Sequence, residues 1–271
     1  MCLQYFQFLQ QLVKDPRLPG KVQDIVVEFG NPLYQAVVDS YVLEGKDVPF
    51  VVRRPVWQEA AMGWYVANSP IYETFYDQLR AVNLKLPKEE RIRVILGDAP
   101  LDAGQFRANP DRYFRPFLAY KETLEDPREI SIAANIARVM ASGRRALVLS
   151  GNGHLDLTQR SGNARHIFER LYPNRFYLID ESGPGNPSWP IPSIVTWADD
   201  REPNHAMLWL GPLDSLTVVR PSPLIYRDTA YWSFINLMAE VQGRDPVDLA
   251  SASFEYRTRY FEYRTAYRWT Q

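Results

Sequence analysis

The stretch LVLSGNGH, Leu147 to His154, begins as buried strand and ends in two glycines, an amide and an imidazole. A chain that leaves the core on such residues delivers them where a ligand can reach. The same form occurs twice upstream. DIVVEFGN, Asp24 to Asn31, sets Ile25, Val26 and Val27 between polar ends, and IRVILGDAP, Ile92 to Pro100, ends its apolar run on Gly97 and Asp98. Short β-branched runs of this kind are the pattern of parallel strands covered on both faces.

Between these runs the period changes to that of helices. Phe6, Leu9, Leu12 and Val13, followed by Pro16 and Pro19, predict a helix over Leu3 to Lys14. Pro32 opens a second, with Leu33, Val37, Tyr41 and Val42 on its apolar side, running to Gly45. Further helices are expected over Val56 to Val66, Ile71 to Val82, Glu129 to Met140 with Gly143 as its stop, and Ala164 to Leu171. Leu101 to Glu125 reads as irregular. RFYLIDESGPG and SIVTW supply a fourth and a fifth strand. The alternation predicts an α/β fold with a mainly parallel sheet flanked by helices. The expected division is a core over 1–198 and a mostly helical C-terminal extension over 199–271, packed on that core. In the extension Tyr231 to Val241 reads as a helix, and FEYRT recurs at Phe254 and Phe261, seven residues apart. That spacing sets both rings on one stripe, as in a docking helix.

Composition removes several classes of function. The chain has 271 residues, 46% hydrophobic and 23% charged, enough for one sizeable core. Its formal charge is -1, so no global field draws it to nucleic acid or to an anionic membrane. Cys2 is the single cysteine and has no internal disulfide partner. No stretch approaches the roughly 20 apolar residues of a membrane span, and the opening MCLQYFQFLQQLVKD lacks a basic n-region. A cytoplasmic protein is expected as the sequence stands, with export open if the natural start lies upstream. Oligomeric state is not legible.

In open parallel sheets ligands bind outside the carboxyl ends of the strands. The four exits read E-F-G-N (Glu28 to Asn31), G-D-A-P (Gly97 to Pro100), G-N-G-H (Gly151 to His154) and D-E-S-G (Asp180 to Gly183). Their convergence would bring Glu28, Asp98, Asn31, Asn152 and His154 to one place, with the glycines permitting turns and close approach. Each residue also has a structural explanation. Glu28 could cap the next helix or pair with an arginine, His154 could be a satisfied structural imidazole, and Arg128-Glu129 could be the cap pair of a helix. His166 and His205 read as structural. No G-x-x-x-x-G-K-[ST], no G-x-G-x-x-G after a strand, no G-x-S-x-G, no H-E-x-x-H and no Cys cluster occurs, which argues against P-loop, serine-hydrolase and closed zinc sites.

The series DIVVEFGN, ILGDAP and PREISIAANIARVMASGRRALVLSGNGHL resembles the superfamily of erythromycin esterase-like, ChaN-like haem-uptake and TraB/Tiki proteins over roughly the first two thirds of the chain. The resemblance implies an α/β core with a deep cleft at its strand ends, two G-x-x-H motifs and a strand-end glutamate. Gly151 to His154 matches the second G-x-x-H, Glu28 the glutamate, and Arg128-Glu129 with Ala133 to Asn135 the helix before it. The first G-x-x-H, with its expected general base, has no counterpart in this sequence. A start assigned too far downstream is the expected reason, since a parallel sheet lacking a strand exposes an apolar edge.

The implied function is water-mediated cleavage of an ester, lactone or amide. Glu28 would serve as acid/base or hold the water, and His154 would orient substrate or assist proton transfer. Asn31, Asp98, Asn152 and Arg128 would line the pocket. The alternatives are an inactive remnant, or a binding protein without catalysis for haem or another flat aromatic molecule. A divalent metal or haem is open as a cofactor, neither is required, and no metal ligands are assigned.

Overall fold

The computed structural model describes residues 3–61, 70–109, 126–157, 162–180, 185–196 and 204–217, with isolated helical positions at 229, 233, 236 and 237. Its centre is a parallel sheet of three strands, β1 (Asp24–Val27), β2 (Arg93–Leu96) and β3 (Ala146–Leu149), in the order β2-β1-β3. Asp24 pairs with Arg93 and Ala146, and Val27 with Leu96 and Leu149, so all three strands end level. One more bond carries each ladder past the last pair, from the Gly97 N–H to the Val27 carbonyl at 2.8 Å and from the Glu28 N–H to the Leu149 carbonyl at 3.1 Å. Glu28, Gly97 and Ser150 therefore leave the sheet side by side.

The period of two along β1 divides its side chains between two helical layers. Ile25 and Val27 face α1 (Leu3–Lys14) and α5 (Pro70–Asn83), where Phe6, Leu9, Val13, Tyr72, Phe75 and Leu79 are buried. Val26 faces α7 (Pro127–Ala141) and α9 (Ala164–Leu171), against Ile132, Ile136 and Phe168. Phe29 continues on the first face among Tyr72, Phe75 and Tyr76. Glu28 falls to the second face, where α7 begins.

The chain from Pro32 is less regular than one helix. A 3-10 turn at Pro32–Tyr34 leads into α2 (Gln35–Val38) and a π-helical turn over Asp39–Leu43. The cause is non-local. Gln35 donates from Nε2 to the Val94 carbonyl at 2.8 Å and accepts at Oε1 from the Leu96 N–H at 3.0 Å, closing the outer edge of β2 as a neighbouring strand would. Asp39 pairs with Arg93 at 2.6 Å. A short α3 (Phe50–Arg53) precedes the helix expected over Val56 to Val66, of which α4 (Pro55–Gln58) covers the start, and 62–69 lie outside the described residues. Within the expected irregular stretch, Asp102 caps a short α6 (Ala103–Ala108).

A second sheet of three strands follows. β4 (Leu178–Asp180) and β5 (Ser193–Thr196) flank β6 (His205–Trp209), parallel on the β4 side and antiparallel on the β5 side. β6 is a correction to the sequence reading, which placed no strand after residue 199. It lies at the centre of this sheet, so the first part of the expected extension is β structure paired with residues before 198. The FEYRT repeat and most of the helix expected over Tyr231 to Val241 lie outside the described residues. Among the described residues no helix is long and apolar enough to cross a membrane.

Candidate functional site

The chain leaving β1 for β2 runs on the α5 face, and the chain leaving β3 packs Leu155, Ala164 and Phe168 on the α7 face. The carboxyl ends of β1 and β3 thus part in opposite directions, which is the switch point where open α/β sheets form a crevice. Glu28 lies on one side of it. On the other, Gly151 starts the single turn α8 (Asn152–Leu155), which presents His154. His154 Nε2 lies 3.1 Å from Glu28 Oε2. The same oxygen accepts from Ser150 Oγ at 3.0 Å, and the carboxylate also takes the Gly151 N–H.

The other ring nitrogen has an equally close partner. His154 Nδ1 lies 2.8 Å from Glu129 Oε2, which also accepts the Ala164 N–H at the start of α9, again at 2.8 Å. Glu129 is fully buried. Asp126 and Pro127 fix the first turn of α7, Asp126 accepting the Arg128 N–H at 2.9 Å, and this sets Arg128 and Glu129 at the strand ends. Glu129 is the site residue that sequence reasoning did not assign, having named it only in a possible cap pair and in the helix that resembles the family. The signal was available: Glu129 precedes Ile132, Ala133 and Ile136 by three, four and seven places, so it lies on the buried stripe of its helix.

Arg128 joins Glu28 to Asp98. Its Nε donates to Asp98 Oδ1 at 2.7 Å, while Nη2 stands 4.0 Å from Glu28 Oε2. Asp98 is fully buried and receives the Ala99 N–H on Oδ1 at 2.9 Å, but its Oδ2 has no hydrogen-bond partner among the described residues. Glu28, His154, Arg128 and Asp98 are therefore brought together, with Asn152 partly exposed at the head of α8.

One expected member stands elsewhere. Asn31 is fully buried and its amide is spent on the fold. It accepts from the Leu33 and Leu101 N–H groups at 3.1 and 3.4 Å and donates to the Leu101 and Glu59 carbonyls at 2.6 and 3.0 Å. It ties the β1 exit to the β2 exit rather than facing a pocket. Asp180, from the fourth exit, belongs to the second sheet and pairs there with His205 at 3.1 Å. The glycines of G-N-G-H also differ from expectation. Gly151 has φ -63° and an added Cβ would meet Glu28 no closer than 3.5 Å, while Gly153 faces open space. Neither turn needs a glycine, unlike Gly143, which ends α7 at φ 73°.

Burial alone would push His154 down, yet its hydrogen bonds to Glu129 and Glu28 and the Glu28 charge raise it to about 9. It is an imidazolium at neutral pH, donating from both nitrogens. Burial would likewise raise Glu28. The His154 hydrogen bond and charge, the Arg128 charge and the Gly151 N–H prevail and bring it down to about 2. Asp98 moves the other way: burial holds it above the ordinary carboxylate range, against the opposing pull of Arg128. Neither Glu28 nor His154 exchanges a proton readily near pH 7. What the arrangement offers is fixed charge: a locked carboxylate, a locked imidazolium and a guanidinium edge.

A haem iron does not fit His154, because both ring nitrogens are engaged. Among the described residues no three His, Cys, Asp or Glu side chains are grouped to hold a metal ion. Compared with family models, with curated proteins and with solved structures, the chain matches none. Fold and site together define a class, a mixed α/β protein with a charged, buried centre at the switch point of a parallel sheet. The likeness to erythromycin esterase-like proteins rests on the motifs quoted above alone.

Proposed function

We propose that the strand-end centre is a small-molecule site of hydrolase type, cleaving an ester, lactone or amide with water as nucleophile. The observation that supports this most is the Glu28 carboxylate, buried at the β1–β3 switch point and held by His154 and Ser150 beside the Arg128 guanidinium. In this reading the cleft opens at the strand ends. Arg128 holds the carbonyl oxygen and stabilises the negative charge that develops on it during attack. Glu28 accepts a hydrogen bond from the water and fixes its direction, and the proton the water gives up on attack passes to the leaving oxygen or nitrogen. His154 and Glu129 keep Glu28 in place and ionised. The test is a panel of esters, lactones and amides with the purified chain. Turnover that disappears in Glu28→Gln is expected, and no turnover of any member refutes the reading.

A second reading is supported by the charge states themselves. A general base works best with a pKa near the working pH, and Glu28 at about 2 is far from it. The same centre would then bind a carbonyl compound without cleaving it. Binding of panel compounds without turnover separates this reading from the first.

A further inference from the structure

The Arg128–Asp98 pair is incomplete in a specific way. Arg128 spends Nε on Asp98 Oδ1, and among the described residues its two terminal nitrogens make no hydrogen bond, with Nη2 4.0 Å from Glu28. The Arg128 side chain as a whole is 19% exposed. On the partner, Asp98 Oδ2 is buried without a donor among the described residues. An acceptor in that condition costs free energy until a donor arrives, and a carboxylate more than a neutral group. One ion pair thus leaves donors on Arg128 and an acceptor on Asp98 unused.

From this we infer that the ligand carries a carbonyl oxygen and an N–H on the same edge, as a lactam or a primary carboxamide does. The carbonyl accepts from the Arg128 terminal nitrogens and the N–H donates to Asp98 Oδ2. An ester or lactone offers the first contact and not the second, since an ether oxygen stands where the N–H would be and faces Oδ2 with lone pairs. Sites that hydrogen-bond a substrate N–H reject the analogue lacking it far more strongly than apolar pockets reject a missing methylene. Asp98 is then the residue that selects amides over esters. The inference rests on the ligand site proposed above and does not need catalysis.

The matched probes are δ-valerolactam and δ-valerolactone, which differ in N–H against O at one ring position. Their dissociation constants for the full chain are measured by ligand-observed NMR, and ring opening is followed separately. The lactam is expected to bind at least tenfold more tightly. Asp98→Asn keeps an oxygen for Arg128 Nε and can put an NH2 donor in place of Oδ2, so it should remove or invert the preference. Arg128→Lys should weaken both ligands while the lactam stays ahead. Equal binding, lactone preference, no binding of either, or a preference that survives Asp98→Asn overturns the inference. If Asp98→Asn fails to fold, the wild-type comparison and Arg128→Lys still decide. Lactam binding without turnover of any panel member upholds the inference and removes the hydrolase reading. Lactone opening without lactam binding does the reverse.

Discussion

Replacing His154 by alanine tests the electrostatics of the centre most severely. The substitution leaves Glu28 and Glu129, 6% and 0% exposed, without the cation between them. Removing one partner of a buried ion pair costs about 3–5 kcal/mol, because the remaining charge stays desolvated. The pKa gives a second route to the magnitude. Moving the His154 midpoint from its ordinary 6.5 to about 9 corresponds to about 3 kcal/mol. The lowering of Glu28 reflects the same contact and is not added to it. The sign follows from which form is favoured. A raised folded-state pKa gives stability that is complete below pH 6.5 and lost as pH rises through 9. Urea unfolding followed by tryptophan fluorescence should show His154→Ala less stable than the wild type by about 3–5 kcal/mol at pH 7, with an unchanged denaturant slope. By pH 10 the gap should shrink by about 2–3 kcal/mol as the wild type loses the same charge. A gap below about 1 kcal/mol at pH 7, or one that does not change with pH, refutes the reasoning.

Other consequences are as direct. If the chain hydrolyses any member of the panel, the rate should stay level between pH 5 and 8 and fall through about 9 as His154 deprotonates; a limb near 6.5 would contradict this. Asn31→Ala should cost about 3 kcal/mol in urea unfolding, since it strands buried backbone groups of Leu33, Leu101 and Glu59. Gly30→Ala places a Cβ 2.4 Å from Leu96 Cδ2 and 3.1 Å from Tyr76 Oη, both in the core. A loss of about 1–3 kcal/mol by thermal or urea unfolding is expected, and an unchanged midpoint would show that the core yields.

Elements fixed by local pattern were legible in the sequence. The apolar runs marking β1, β2 and β3 needed no outside information, and the helices at Leu3–Lys14 and Ala164–Leu171 begin and end where periodicity and flanking residues place them. Elements fixed by distant partners were not. The helix after Pro32 breaks into three kinds of turn because Gln35 and Asp39 are drawn to β2, and nothing within residues 32–45 says so. β6 is five residues of HAMLW whose strand character comes from β4 and β5 on either side. The candidate site divides the same way. Glu28, Asp98 and His154 were visible as strand exits, whereas Asn31 looked equivalent until its four backbone partners were known. Glu129 was not assigned because a charged residue at the start of a helix could be read as half of a cap pair.

The charge states of the centre depend on His154 being an imidazolium hydrogen-bonded through both nitrogens, and NMR of its ring reads this directly. With His166 and His205 the chain has three histidines, so a spectrum of His154→Gln identifies the signal by subtraction. The account predicts both ring nitrogens protonated at pH 7 and a titration midpoint at about 9. A neutral ring at pH 7, with a midpoint near the ordinary 6.5, would contradict it.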